Sequence, residues 1–344
     1  MATRDIIVIG TSSGGVQALS TLVSDLSPAL PAAVFIVLHV PSNVPSLLPR
    51  ILARQTSLVV AHAVDGEPIK HGKVYVAPPD QHLLIETGHI SLVHGPKENL
   101  HRPSIDALFR SAAHWAGPRV IGVVLTGARD DGTVGMRAIK LRGGIGIVQD
   151  PFEASYPSMP LSVLRDVKVD YRVPLGEIAT LLNRLAGKNV EDEGRYLVSD
   201  EIEIESSIAS QKMDSDELIA SVERIGKISR LTCPDCHGAL WEVHDEDLLR
   251  YRCHVGHAFS AEALNQGQSE MLEQALWSAV RVLEEQIILA RRIVERARKN
   301  NHTRAAMSFE KRAREAEQHR AVLREVLLHG EKGDIGEPIL ISDG

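Results

Sequence analysis

Cysteine is scarce in this 344-residue chain, with three residues at positions 233, 236 and 253. So few exclude a disulfide framework, and their confinement to one short segment points to a metal site instead. Long apolar runs are missing too, none approaching the roughly 18–20 residues that a membrane-spanning helix needs. Met1-Ala2-Thr3-Arg4-Asp5 leads straight into a β-branched run with no small-residue cleavage site. Neither membrane insertion nor a secretory leader is expected, and the expected location is the cytoplasm. Positive charge is not in excess: the formal net charge is −7, which argues against general nucleic-acid binding.

What is present is an ordinary globular composition, 44% hydrophobic and 24% charged, long enough for about two domains. Residues 1–186 are close to neutral, with 17 Lys and Arg against 15 Asp and Glu. Residues 187–220 hold 3 against 10, so an acidic linker is expected over 187–230. Ahead of it, β-branched runs alternate with helix-like stretches. Asp5–Ile9, Ala33–Leu38, Lys73–Val76, Arg119–Leu125 and Gly144–Val148 read as strands, and Leu83–Ile85 with Ile90–Val93 as a hairpin. Val16–Leu26, Val44–Ala53, Pro103–Trp115 and Val134–Leu141 read as helices. Continuous apolar strands between amphipathic helices predict an α/β fold with a mainly parallel, doubly wound sheet.

In such sheets ligands sit beyond the carboxyl ends of the strands, and three segments fall at that edge. Gly10-Thr11-Ser12-Ser13-Gly14-Gly15 follows the first strand, His39 the second, and Asp130-Asp131-Gly132 comes shortly after Val120–Leu125. A serine, a base to take its proton and a carboxylate to orient the base are the parts of an acyl-transfer site. The first segment fits the G-x-S-x-G turn, whose following helix offers N–H groups to an oxyanion. A glycine-rich turn also serves phosphate or dinucleotide sites, although this one fits neither G-x-G-x-x-G nor the lysine-bearing P-loop. His39 is one of 15 histidines, and Asp-Asp-Gly-Thr reads equally as a turn and helix cap, with Asp130 as good a cap as Asp131. It is the combination of all three that argues for catalysis.

Four segments together resemble the chemotaxis methylesterase (CheB-type) catalytic domain: Ile9–Gly15, Leu38-His39-Val40-Pro41, Arg102–Phe109 and Leu125–Gly132. The resemblance covers about residues 4–186. It implies Ser12 as nucleophile, His39 as base and Asp131 as acid, in the order Ser…His…Asp, where an α/β-hydrolase runs Ser…Asp…His. It further implies hydrolysis of glutamate γ-methyl esters on chemoreceptor helices, deamidation of glutamine at such sites, an oxyanion held by N–H groups around Ser13 and Gly14, and no catalytic cofactor. Two departures stand out. The family usually carries a phosphorylatable receiver domain first, whereas here the first strand starts at Asp5, so a standalone form is expected. Ala128-Arg129 stands where the chemotaxis enzymes typically have Met-Gly, and Leu38 where they usually have a polar residue.

Cys233-Pro-Asp-Cys236, sixteen residues, then Cys253-His-Val-Gly-His257 has the spacing of a Cys₃His zinc ribbon over 231–260. His257 is the expected fourth ligand, with His254, His237 and His244 as alternatives, and the expected zinc is structural. Residues 261–330 read as a helical hairpin turning at Lys299–His302, with seams of Leu272, Leu276, Ala279, Leu283, Gln286, Ala290, Ile293 and Ala297, then Ala306, Phe309, Ala313, Ala316, Leu323 and Leu327. Residues 331–344 read as a loose tail. The hairpin could dock a regulatory helical partner. That leaves a second reading, a binding or signalling module on a methylesterase-like scaffold.

Overall fold

The computed structural model describes residues 2–190, 196–243 and 248–330. Glu191–Glu193 of the acidic linker, His244 and the tail 331–344 lie outside the described residues. The chain forms two compact units, Met1–Asn265 and Gln266–Gly344.

The first unit is built on a seven-stranded sheet among the described residues. Its strands are β1 (Ile6–Thr11), β2 (Ala33–Leu38), β3 (Val59–His62), β4 (Lys73–Val76) and, after a hairpin of β5 (His82–Glu86) and β6 (His89–Val93), β7 (Val120–Val124), β8 (Ile145–Gln149) and β9 (Tyr171–Val173). The order is β3-β4-β2-β1-β7-β8-β9, and every neighbouring pair is parallel. The helices that connect or follow them are α1 (Gly15–Ser24), α2 (Leu48–Leu52), α3 (Ile105–Ala116), α4 (Thr133–Leu141), α5 (Ser158–Asp166) and, after β9, α6 (Leu175–Leu185).

Alternation along β1 shows why both faces are covered. Ile7 and Ile9 join Leu19 and Leu22 of α1, Leu52 of α2 and Leu182 of α6 in one core. Ile6 and Val8 join Phe109 of α3, Met136 and Ile139 of α4 and Met159 of α5 in the other. An α/β doubly wound architecture results, as the apolar runs predict. The strand order reverses at β1 and β7, so a crevice opens beyond their carboxyl ends, where such folds bind ligands.

The structure departs from expectation in several places. β3, β9, α5 and α6 were not anticipated, and the helix expected over Val44–Ala53 shortens to α2, which Pro45 delays and Pro49 opens. Much of the expected linker is ordered, as α7 (Asp200–Ala209), α8 (Ser215–Ile225) and β10 (Gly226–Thr232). Ile202 reaches the core beneath the sheet, and Ile204 and Ile208 pack with Val222 and Ile225, so these acidic helices hide an apolar stripe. β10 starts a four-stranded antiparallel sheet with β11 (Ala239–Val243), β12 (Arg250–Cys253) and β13 (Ala258–Ser260).

Next come α9 (Ala261–Lys299) and α10 (Thr303–Gly330), the latter two helices joined at Asn300–His302. The seam of α10 is as read, with Ala306, Ala313, Ala316 and Leu327 buried. That of α9 is corrected: Val280, Ile287 and Val294 are buried in place of Ala279, Gln286 and Ile293, and Leu272 is 61% exposed.

α3 and α4 cross where Gly135 leaves no room for a side chain. A Cβ there would lie 2.4 Å from Phe109 Cβ and 3.1 Å from Asp106 Cα. Gly135→Ala is therefore expected to lower unfolding stability by about 1–3 kcal/mol, read as a reduced urea midpoint at unchanged slope.

Candidate active site

Ser12 leaves β1 where the strand turns into α1. Gly14 caps that helix at φ 78°, a left-handed conformation that glycine adopts without strain. Ser12 N donates to Thr126 O (3.1 Å), and Gly15 N donates to Ser12 O (2.9 Å). The loop after β7 presses close here: a Cβ on Gly127 would sit 3.0 Å from Ser12 Cβ. Among the described residues, neither Ser13 N nor Gly14 N donates a hydrogen bond, so two amides at the helix N-terminus stay available to an anion.

His39 is the next residue after β2. The parallel register pairs Thr11 with Leu38, so Ser12 and His39 emerge side by side from neighbouring strands. His39 N donates to Thr11 O (3.3 Å). Its ring is nearly buried and donates from Nε2 to Asp131 Oδ2 at 2.8 Å. A carboxylate only accepts, so the proton belongs on Nε2 and the lone pair on Nδ1. Nδ1 is buried without a partner, and no hydrogen bond yet joins it to Ser12 Oγ. Beside the ring lies a cleft of about 330 Å³ lined by Val40, Pro41, Asp80, Lys97, His101 and Arg102.

Of the two neighbouring aspartates, Asp131 is the one bonded to His39. It does not cap the helix that follows it but reaches the N-terminus of α3. Its Oδ2 accepts from Ile105 N (2.7 Å), and its Oδ1 from Asp106 N (3.2 Å), Ser104 Oγ (3.0 Å) and Asn99 Nδ2 (3.0 Å). Burial pushes this carboxyl up, but the His39 bond, the histidine charges and Asn99 more than reverse that, so it lies well below the usual carboxylate range. Asp130 points elsewhere. Burial raises it to about 6, with Ser260 bonding to it and Glu262 and Asp131 nearby.

A layer that residue patterns did not reveal surrounds this pair. Asn99 Nδ2 also donates to Asp106 Oδ2 (2.8 Å), and Asp106 Oδ1 accepts from Gly132 N and Gly135 N. Burial and the charge of Asp131 push Asp106 well up. His101 stacks on His39, centroids 3.7 Å apart, and burial followed by the His39 charge drives it down to about 3. Ser104 and Asp106 lie in the Arg102–Phe109 segment, where no role could be read for them. Asn99 and His101 gave no signal.

The sequence model of the CheB methylesterase family matches residues 7–182. The chain belongs to the CheB methylesterase family. A putative protein-glutamate methylesterase/protein-glutamine glutaminase of Leptospira interrogans is 40% identical over 188 residues, which are 54% of this chain and 97% of that relative. A protein-glutamate methylesterase/protein-glutamine glutaminase of Methanosarcina mazei is 37% identical over 188 residues, 52% of this chain and 51% of its own length. The crystal structure of the Thermotoga maritima CheB methylesterase catalytic domain aligns at a TM-score of 0.52 and 34% identity, over 54% of this chain and all of that one. The fold and the enzyme class, a carboxylic ester hydrolase, follow from these likenesses.

Beyond the CheB match, Cys233, Cys236, Cys253 and His257 converge, their ligand atoms all within 4.8 Å of one another. Cys236 Sγ lies 3.7 Å from Cys253 Sγ, and His257 Nδ1 lies 3.7 Å and 3.5 Å from Cys233 Sγ and Cys253 Sγ. Bond lengths of about 2.3 Å to sulfur and 2.0–2.1 Å to nitrogen give a tetrahedron with edges of roughly 3.5–3.8 Å, so the donor set fits Zn²⁺. His254 lies against Trp241 instead, and His237 is exposed.

The partly buried His101 makes a pH test. Its folded-state value, about 3, lies below the roughly 6.5 of an unfolded histidine. Below 6.5 the unfolded chain therefore takes up a proton that the folded one refuses, and stability falls until the pH reaches about 3. His101→Gln is expected to flatten this loss, measured as the urea midpoint against pH.

Proposed function

We propose that the chain hydrolyses γ-methyl esters of glutamate on the helices of chemoreceptor-like proteins and deamidates glutamine at such sites. Ser12 Oγ attacks the ester carbonyl carbon as its proton passes to His39 Nδ1. The oxyanion is held by Ser13 N and Gly14 N. The tetrahedral intermediate collapses, and His39 returns the proton to the leaving methoxide, which departs as methanol. Water then attacks the acyl-serine, its proton passing through His39 to Ser12 Oγ, and glutamate is released. With glutamine, ammonia leaves in place of methanol. Asp131, ionised at the α3 N-terminus, fixes the tautomer and balances the imidazolium.

One observation carries this reading: His39 commits Nε2 to Asp131 and leaves Nδ1 buried and unpartnered, next to Ser12 in strand register. Catalytic hydrogen bonds are often long before substrate binds and tighten with it. Names of the relatives support the substrate class.

Cys233, Cys236, Cys253 and His257 would hold a structural Zn²⁺, which would close the fold of β10–β13 with all four positions taken by protein. The α9–α10 hairpin, with Trp277, Ile288 and Leu289 exposed, would be the surface that docks a helical regulatory partner. No described helix is long and apolar enough to cross a membrane.

Ser12→Ala is expected to cut methanol release from a methylated receptor by roughly 10⁴-fold or more, with an unchanged circular dichroism spectrum. A fluorophosphonate probe should label the wild type and not this variant. Undiminished release by Ser12→Ala would sink the mechanism. Metal analysis should find about one zinc per chain, lost in Cys236→Ser together with the cooperative unfolding of residues 226–260.

A further inference from the structure

We propose that Asn99 is a positioning residue for the catalytic pair, and that the four-stranded module β10–β13 holds it in place through Ser260, so that this module completes the esterase site. The inference rests on the esterase reading above.

Asn99 and Leu100 are consecutive residues in the left-handed region, at φ 51° and 69°. Asparagine tolerates that conformation and leucine resists it, so the turn needs outside support. The support comes from β13. Asn99 N donates to Ala258 O (2.8 Å), Ala258 N donates to Lys97 O (3.3 Å), and Glu98 bridges to Ala258 in parallel fashion. The side chain is held at the same place: Ser260 N donates to Asn99 Oδ1 at 2.9 Å. Holding the oxygen aims the other end of the amide. Nδ2 is then delivered to Asp131 Oδ1 (3.0 Å) and Asp106 Oδ2 (2.8 Å), between two buried carboxyls.

An unbroken chain of hydrogen bonds thus runs from Ser260 through Asn99 and Asp131 to His39. Asn99 touches no reacting atom. It acts through Asp131, setting where the carboxylate sits and how much negative charge faces the imidazole. The module lies outside the family match, which ends at residue 182, and the Leptospira relative is almost wholly accounted for by the matched 188 residues. The Ser260 end of this path thus lies in residues that the family match does not cover.

The groups facing His39 are Asp131 with Asp106 behind it, the stacked His101, Lys97 and Arg129, which act on His101, and Asp80 and Arg102 across the cleft. Asn99→Asp replaces a donor with a third carboxyl in this group. On full-length protein, kcat is expected to fall roughly 10- to 100-fold with KM within about twofold, as for a mispositioned catalytic group. The acid limb of the kcat/KM profile should move to higher pH, because added negative charge favours the imidazolium.

Ser260→Pro deletes the single N–H that holds Asn99 Oδ1 and should lower kcat several-fold. It should add nothing to Asn99→Ala, since the two share one path. A readout independent of turnover is the downfield proton resonance of His39 Nε2, which should change in all three variants. If the wild type neither turns over ester nor labels at Ser12, the esterase reading fails, and the resonance still decides the positioning. A wild-type kcat, pH profile and resonance in Asn99→Asp overturns the positioning role. Wild-type behaviour of Ser260→Pro overturns the link to the module, even if that variant sheds its zinc, because a misfolded module leaves Asn99 equally unheld. Effects that simply add in the double variant overturn the link as well.

Discussion

The carboxylate of Asp131 is the point on which the site depends. It is buried and accepts from five donors: His39 Nε2, Asn99 Nδ2, Ser104 Oγ, Ile105 N and Asp106 N. A buried charge is costly unless it is bonded, so these donors fix the carboxylate to a small volume. Its position ties together the loop after β7, the first turn of α3 and the residue that follows β2. The imidazole orientation then follows from Asp131 and not from the His39 backbone alone. Ser12 is placed by a different device, the register of β1 against β2 and β7 together with the close approach of Gly127. One half of the machinery is set by a backbone ladder, the other by a single buried anion.

That division explains what could be read from the sequence. β1, β2, β4, β7 and β8 are continuous apolar runs buried on both faces, and they stand out as such. β3 and β9 are edge strands of four and three residues, with Val59 64% exposed and no residue of β9 buried, so they carry little apolar signal. Ser12, His39 and Asp131 were legible because each directly follows or closely trails such a run. Asn99, His101 and Ser104 were not, because their partner Asp131 or His39 lies 27 to 62 positions away and nothing local marks them.

The seam of α9 failed for another reason. A pattern of alternating threes and fours fits Leu283-Gln286-Ala290-Ile293-Ala297 and Leu283-Ile287-Ala290-Val294-Ala297 alike. Only packing selects the second, which buries Ile287 and Val294.

Electrostatics also explain how the module finds its place against the catalytic domain. Its own core is small, built on Leu240, Tyr251, Phe259 and Leu264 around the cysteines. Between it and the domain lies a buried ionic cluster. Glu98 pairs with Arg110 of α3 (2.6 Å) and Arg252 of β12 (3.3 Å), and Glu205 of α7 pairs with Arg252 (3.0 Å) and Arg250 (2.9 Å). Burial pushes both glutamates up, but the arginines outweigh it and hold them below the ordinary range.

Such clusters contribute little net stability over an apolar packing, yet breaking one partner away costs about 3–5 kcal/mol. A shifted docking of the module would strand Glu98 or Glu205 as an unpaired buried charge, so the cluster selects one register. In that register β13 lies along residues 97–99, and Ser260 meets Asn99. The charges that dock the module and the amide that reaches Asp131 are thus neighbours on one short segment, Glu98-Asn99. Disturbance of the docking therefore reaches Asp131 across a single residue.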